Sequence, residues 1–394
     1  MDMTIKSFDE VVLFARTGLN PRNNFKLGQG TNKYITIKNI KNNSIVIDDN
    51  TDVVDDDAIS LIHKRSQIKK GDVLFCSIGR MGDMYIISEE PIGWDINESV
   101  FVFTLNTEVI RQKYFYYIFK HQNTLDYLSK NSSGSTFKSI KMNQLKKMNF
   151  CLPSLKEQDF IVSALDSACS IINARKKELD KLDELVKARF VEMFGDSGKQ
   201  VPLTEYVWFQ EGPGVRSVDF TNEGTTLLTG SNINNNTITF GYKSDRHISN
   251  ELANGKYAHF MCDKDDILVV SSAIDPDKFD KKVAIVNENK KYCLNTGIIR
   301  FKPDKNHLTL GYFREFLKTD YFKHQVIAEM RGIAQMHFGP SHLKQMTILL
   351  PESIEKQIEF ENFVKQIDKS KVAVQKALDE AQLLFDSLMQ EYFG

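Results

Sequence analysis

The sequence predicts an α+β protein in which two related domains are separated by two long antiparallel coiled-coil helices, giving a pseudo-twofold internal repeat. Three observations lead there. A heptad pattern runs from Pro153 to Gly195, it recurs from Pro351 to Gly394, and the residues leading into the two stretches match one another at a fixed offset.

Taken in order, residues 1–152 read as the first domain. Tyr34 to Ile40, Asp72 to Ile78, Met84 to Ser88 and Ser99 to Leu105 are rich in β-branched and aromatic residues and are separated by turn chemistry, so they read as strands. Tyr114 to Ser129 has helical spacing of Phe115, Ile118, Phe119, Leu125 and Leu128. A polar loop, Asn131 to Thr136, follows.

Residues 153–195 form the central helix. Ile161, Leu165, Ala168, Ile172, Arg175, Leu179, Leu182, Val186, Arg189 and Met193 follow alternating steps of four and three, a seam sustained over about four heptads. Ser154 and Glu157 form a capping box after Pro153, and Gly195 marks the end.

Residues 196–350 repeat the first plan. Lys70 to Phe75 corresponds to Lys264 to Val269, Ser99 to Phe103 corresponds to Gly297 to Phe301, and a helical pattern again follows, from Leu310 to Glu329. Gly134, Leu145, Met148, Leu152 and Pro153 match Gly332, Leu343, Met346, Leu350 and Pro351 at an offset of 198. Internal duplication accounts for all of these matches.

Residues 351–394 form the second long helix. Its seam is Phe360, Val364, Ile367, Lys371, Val374, Leu378, Ala381, Phe385, Leu388 and Tyr392, an offset of 199 from the first. Ser353 has Lys356 three residues on, so its capping box is imperfect. A helix of about 37 residues is about 55 Å long, enough to hold two domains about 16 base pairs apart on duplex DNA at roughly 3.4 Å per step.

Composition narrows the class. At 41% hydrophobic and 26% charged the chain reads as soluble and globular, with no apolar run long enough to span a membrane and no signal-peptide layout, so a cytoplasmic location is expected. Five cysteines are scattered singly and read as reduced thiols rather than a zinc site. The net charge of −1 neither favours nor excludes nucleic acid, because charge can be segregated. Asp48, Asp49, Asp52, Asp55, Asp56 and Asp57 lack the glycine and final glutamate of a calcium loop and read as a solvated turn.

The segment Leu152-Pro153-Ser154-Leu155-Lys156-Glu157-Gln158, running through Leu179, Leu182, Leu185 and Arg189 to Phe194, resembles the conserved regions of type I restriction-modification specificity subunits. Leu350-Pro351 with Glu355-Lys356-Gln357, onward to Phe393, resembles them again. The resemblance implies two target recognition domains, each reading half of a split site in double-stranded DNA, with the helices fixing the spacer. It also implies partners. Two methyltransferase subunits would carry S-adenosylmethionine, and restriction motor subunits would use ATP and magnesium, leaving this chain non-catalytic and without a cofactor of its own.

The sequence is in keeping with that division, since it carries no methyltransferase Asn-Pro-Pro-Tyr, no phosphate loop and no His-Glu-x-x-His. One nuclease-like pattern, Pro276-Asp277 with Glu288-Asn289-Lys290, lies partly in turn sequence beyond the Val283 to Val286 strand, where metal ligands would be poorly fixed. The same layout of domains and helices would also suit a stand-alone or silent DNA-binding module, or a purely structural scaffold.

Loops on a rigid frame that carry Arg, Lys, Asn, Gln and hydroxyls are the DNA-contact candidates. In the first domain these are Arg22 beside Asn23 and Asn24, Lys33, Arg80 in the Ser77–Arg80 turn, and Ser133, Ser135, Thr136 and Lys138 around Gly134. In the second they are Arg216 after the Gly212-Pro213-Gly214 turn, Arg246 beside His247, and Arg331, Gln335 and His337. The glycines are expected to let backbone approach phosphate. Apolar residues flanking the seams, Leu185, Phe190, Leu384 and Met389, are expected to be left for partner docking, while Arg175, Arg189 and Lys371 set register or face partners.

Overall fold

The structure, a computed structural model, describes residues 2–41, 43–134, 137–195, 198–241, 243–328 and 337–394, apart from the side chains of Pro276 and Asp277. The chain divides into two compact units, Met1–Lys176 with Lys376–Gly394, and Lys177–Gln375. Both boundaries fall inside the long helices, Leu155–Phe194 and Ile354–Phe393.

The first unit is built on the strand Val100–Leu105, which is apolar without alternation from Val100 to Phe103 because both of its faces are covered there. Phe101, Phe103 and Leu105 point into one core with Val73 and Phe75, whereas Val100 and Val102 point into another with Leu74 and Cys76. The sheet is antiparallel in the order Val12–Thr17, Val100–Leu105, Val73–Cys76, Met84–Ile86. A smaller sheet holds Asn32–Ile35 between Val53–Val54 and a parallel neighbour, Trp94–Ile96.

Asp55 accepts a hydrogen bond from the Ala58 amide at 2.8 Å and starts a helix, Asp56–Ser66, with Asp56 and Asp57 in its first turn. The acidic run is therefore not the solvated turn its composition suggests along its whole length. Its last three members begin a helix whose macrodipole favours negative charge there.

The single helix expected from Tyr114 is two, Gln112–Ile118 and Gln122–Lys130. Lys120 and His121 donate to the carbonyls of Tyr117 and Ile118, tightening the chain to three-residue closures, and His121 Nδ1 accepts from the Asn123 amide to start the second helix. In the second unit Thr319 does the equivalent work between Leu310–Phe316 and Asp320–Ala328, donating to the Phe316 carbonyl and accepting from the Phe322 amide.

The second unit repeats the frame. Its main sheet runs Val207–Glu211, Ile298–Pro303, Ile267–Val270, Val283–Ile285, and Thr225–Leu228 lies parallel to Tyr292–Leu294 in a four-stranded sheet with Phe220–Thr221 and Arg246–Ile248. In each unit the entry strand pairs with the strand leading into a long helix: Thr4–Ser7 with Asn149–Leu152, and Lys199–Pro202 with Thr347–Leu350.

A buried carboxylate recurs at the start of a central strand, and it is satisfied differently in each unit. Asp72, 1% exposed, accepts from Arg16 Nη2 at 3.0 Å and from Thr104 Oγ1 at 2.6 Å; Arg16 pairs across the sheet with Val102. Asp266, also 1% exposed, takes its arginine from the opposite side of the matching pair. Arg300 reaches it at 3.3 Å, and Arg300 pairs across the sheet with Gln210. The preceding residue is left-handed in both, Gly71 at φ 89° and Asp265 at φ 71°.

The glutamine of each helix-entry motif is a clamp. Gln158 is fully buried, accepts from the Arg111 amide at 2.9 Å, and donates to the carbonyls of Val109 at 2.9 Å and Pro153 at 3.0 Å. Gln357 accepts from the Thr309 amide at 2.8 Å and donates to the His307 carbonyl at 2.9 Å. Each thereby ties the first turn of its long helix to the start of a domain helix, Gln112–Ile118 or Leu310–Phe316.

The seams pack as the heptads predict. Ile161, Leu165, Ala168, Ile172, Val186, Phe360, Val364, Ile367, Val374 and Ala381 are buried. In the second unit Arg189 pairs with Glu359 and Lys371 with Asp183, so numbering rises along one helix as it falls along the other, and the two are antiparallel.

Candidate nucleic-acid interface

In the first unit two groups of candidate residues are held by different parts of the frame. The turn after Val73–Cys76 and the segment around residue 138 are laced together: the Gly79 amide donates to the Lys138 carbonyl at 3.1 Å, the Ile140 amide to the Ser77 carbonyl at 2.8 Å, and Ser133 bridges to Ser139. Arg80, Ser133 and Lys138 thus share one rim. Ser135 and Thr136 lie outside the described residues. Lys138 is exposed, with Nζ donating to Ser129 Oγ.

Arg80 is more committed than its sequence position suggests. Its Nη2 donates to the carbonyls of Ile37 and Ile40 at 2.9 and 2.7 Å, and its Nε lies 3.1 Å from Asp83. It braces the 37–40 turn, which carries the exposed Lys38.

The second group sits on the smaller sheet. Tyr34 donates its hydroxyl to the Leu19 carbonyl at 2.7 Å and packs edge-on against Phe25, pinning the loop on which Arg22, Asn23 and Asn24 are exposed. Lys33 is the neighbour of Tyr34 on the same strand and faces the other way, half-buried.

In the second unit Arg216 is exposed, and Asp219 nearby is held below the usual carboxylate range by a hydrogen bond from Tyr257, then by Lys256 and the charge of Arg216. Arg246 donates through Nη1 to the carbonyls of Lys243 and Asp245, and its guanidinium lies 6.0 Å from the Phe220 ring centroid. With His247, Thr221 and Asn222 these two line a shallow depression. His337 is exposed beside Phe338, whose amide donates to the Ser271 carbonyl at 2.9 Å. Arg331 and Gln335 lie outside the described residues.

Three glycines are required by the fold itself. A Cβ on Gly212 would meet the Asn295 carbonyl oxygen at 2.2 Å, and one on Gly18, its counterpart, would meet that of Ile96 at 1.9 Å. Gly134, at φ 112°, would meet the Phe137 carbonyl at 2.3 Å. Gly214 alone among these turn glycines has open space at the Cβ position.

The partner-docking expectation needs correction at two positions. Phe190 is 5% exposed, its ring 5.2 to 5.5 Å from those of Phe194, Tyr312 and Phe360. Met389, its counterpart at an offset of 199, is 6% exposed in the core of the first unit. Each of these side chains is therefore covered by the core of the unit in which it lies. Leu185 and Leu384, also counterparts, remain 46% and 51% exposed.

Nothing in the described residues assembles a metal centre: no group of three or more His, Cys, Asp or Glu side chains is placed to hold an ion. Lys290 is spent on Asp263 at 2.8 Å and Glu288 on Lys291, while the Asp277 side chain lies outside the described set. No helix among the described residues is long and apolar enough to cross a membrane.

A family model described as the type I restriction modification DNA specificity domain matches residues 2–183 and 202–381. The type I restriction enzyme MjaIX specificity subunit of Methanocaldococcus jannaschii is 33% identical over 84 residues, which are 21% of this chain and only 19% of that protein's length. Among solved structures, a type I restriction-modification system S subunit from M. genitalium is similar over 100% of this chain and 96% of its own, with a TM-score of 0.54 at 15% identity. A chain from a structure on complex assembly and conformational transition of the type I system is similar over 99% and 97%, with a TM-score of 0.56 at 15% identity. At that identity the likeness is one of fold.

Proposed function

Because the chain belongs to the type I restriction modification DNA specificity domain family, we propose that it is the DNA sequence-specificity subunit of a type I restriction-modification complex. Each unit acts as a target recognition domain for one half of a bipartite duplex site. The long helices set the spacer between the halves and dock two methyltransferase subunits, with Leu185 and Leu384 on the docking face. Restriction motor subunits join through that complex. S-adenosylmethionine, ATP and magnesium belong to the partners, and this chain performs no chemistry.

The observation that carries this reading is a frame repeated in detail beneath tips that differ. Gly18 and Gly212, Asp72 and Asp266, and Gln158 and Gln357 occupy matching places, whereas the turn Ser77-Ile78-Gly79-Arg80 faces Ser271-Ser272-Ala273-Ile274 at the equivalent point. Like frames suit two copies of one partner, and unlike tips suit two different half-sites. Guanidinium and amide groups on those tips suit base edges in the major groove, and the remaining cations suit phosphates.

The test is methylome sequencing of a host carrying this gene with its neighbouring methyltransferase gene, against a deletion of this gene alone. A split motif methylated at adenine in both halves that vanishes on deletion is the expected result. Unchanged methylation would overturn the reading and favour a stand-alone DNA-binding module.

A further inference from the structure

Between Asp57 and Asp72 the sequence has no acidic residue, and it has five that are or can be cationic: His63, Lys64, Arg65, Lys69 and Lys70. All five are exposed. They lie in the last turn of the helix Asp56–Ser66 and in the turn after it, which Gln67 enters in the left-handed conformation.

The plain reading of such a cluster is that basic residues offset the negative end of a helix. The magnitudes do not support that as the whole account. A helix C-terminus carries about half a negative charge, and Lys64, Arg65, Lys69 and Lys70 bring four positive ones. None of the four forms an ion pair among the described residues, whereas Lys6, Arg16, Arg111, Lys113, Lys120 and Lys146 of the same unit all do.

Two contacts fix the cluster to the candidate DNA face. Arg65 Nε donates to Thr17 Oγ1 at 3.3 Å, at the root of the loop that carries Arg22. His63 Nδ1 lies 3.1 Å from the fully buried Asp95 carboxylate, which also accepts from Ser66 Oγ at 2.9 Å. Asp95 is the cross-strand partner of Tyr34, whose hydroxyl pins the loop carrying Arg22. The cluster is thereby tied to the Arg22 loop, on the face of the small sheet opposite to Lys33.

We propose that Lys64, Arg65, Lys69 and Lys70, with His63 oriented by Asp95, form a phosphate-contacting ridge of the first unit that grips the DNA backbone independently of sequence. The inference rests on the DNA-binding reading above and adds a surface to it. Among the described residues the second unit keeps only Lys264, the counterpart of Lys70; Asp263 stands in the place of Lys69, Cys293 in that of Asp95, and the corresponding helix, Asn250–Asn254, is about half as long. The first unit would then contribute the greater share of the salt-dependent affinity.

The experiment is the salt dependence of binding by the full chain, with its methyltransferase partner, to a random-sequence duplex of about three helical turns. Each phosphate contact contributes a slope of about −0.9 in log K against log salt. Lys64→Ala, Arg65→Ala, Lys69→Ala and Lys70→Ala combined should flatten the slope by about 2 to 3.6. A control set on the central helix, Lys156→Ala, Lys176→Ala, Lys177→Ala and Lys181→Ala, should change it by less than about 0.9.

An unchanged slope in the ridge variant, or an equal change in both sets, overturns the ridge and leaves the DNA-binding reading standing. Absence of salt-sensitive binding by the parent overturns both. If the four-site variant does not fold, Lys69→Gln with Lys70→Gln, which lie outside the helix, should still flatten the slope by about 1 to 2; no change there overturns the ridge.

Discussion

Gln158→Leu keeps the bulk of a buried side chain and removes its hydrogen bonds. Three groups then lose their partner, the Arg111 amide and the carbonyls of Val109 and Pro153. An orphaned buried polar group costs about 1 to 3 kcal/mol. At the lower bound for each, since the half-buried groups regain some water, the loss is about 3 kcal/mol. Gln357→Leu orphans two groups, the Thr309 amide and the His307 carbonyl, and should cost about 2 kcal/mol. The difference traces to one residue: Pro351 stands a position further from its helix than Pro153 does, and Gln357 has no bond to it. The assay is amide hydrogen exchange at Arg111 and Thr309 together with urea unfolding of the full chain, because two units need not unfold in one step. Exchange should rise at Arg111 in the first variant only and at Thr309 in the second only. A Gln158→Leu chain within about 0.5 kcal/mol of the parent, with Arg111 still protected, would refute the clamp.

The buried carboxylates offer a swap. Arg300→Val should destabilise the second unit by about 1 to 3 kcal/mol, since it removes the guanidinium from Asp266 and leaves Lys302 at 3.4 Å as its remaining cation, and adding Gln210→Arg should recover part of that loss by the route Arg16 uses in the first unit; a double variant no better than Arg300→Val in urea unfolding counts against it. For docking, Leu185→Asp with Leu384→Asp should weaken co-purification with the methyltransferase subunit at unchanged melting temperature. Phe190→Asp should instead lower stability by about 3 kcal/mol or more, because it buries a charge in an aromatic cluster.

The repeat, the seams and the strands were legible because each rests on a local pattern. Heptad spacing, β-branched runs and a capping box need no knowledge of distant residues. What the sequence hid was which partner covers a face. Phe190 and Leu185 are both apolar and both flank the seam, and only the fold shows that Tyr312 and Phe360 occupy the first. Gly212 likewise reads as a phosphate loop until Asn295 is seen against it. The helix Asp56–Ser66 did have a signal, an aspartate N-cap with acids in the first turn and bases in the last, which the density of aspartates obscured.

The two units also differ in a way that bears on how such a chain can change its target. Both begin from a parallel strand pair, Asn32–Ile35 with Trp94–Ile96 and Thr225–Leu228 with Tyr292–Leu294, and both then send a similar length of chain to the central strand, Val73–Cys76 or Ile267–Val270. The first spends that length on an eleven-residue helix with a basic end. The second spends it on the strand Arg246–Ile248, which lines one side of the depression beside Phe220, and on a five-residue helix ended near Gly255. The cores at either end, Ile35 with Ile96 and Leu228 with Leu294, are fully buried in both. Substitutions at the exposed positions of the connecting stretch, as distinct from buried ones such as Ile62 and Ile248, therefore alter charge and shape at the surface without opening a cavity, and most of them should fall within about 0.5 kcal/mol. A frame that tolerates change there, and resists it at Gln158, Asp72 and Gly18, allows recognition to diverge between halves while each half keeps its hold on its helix.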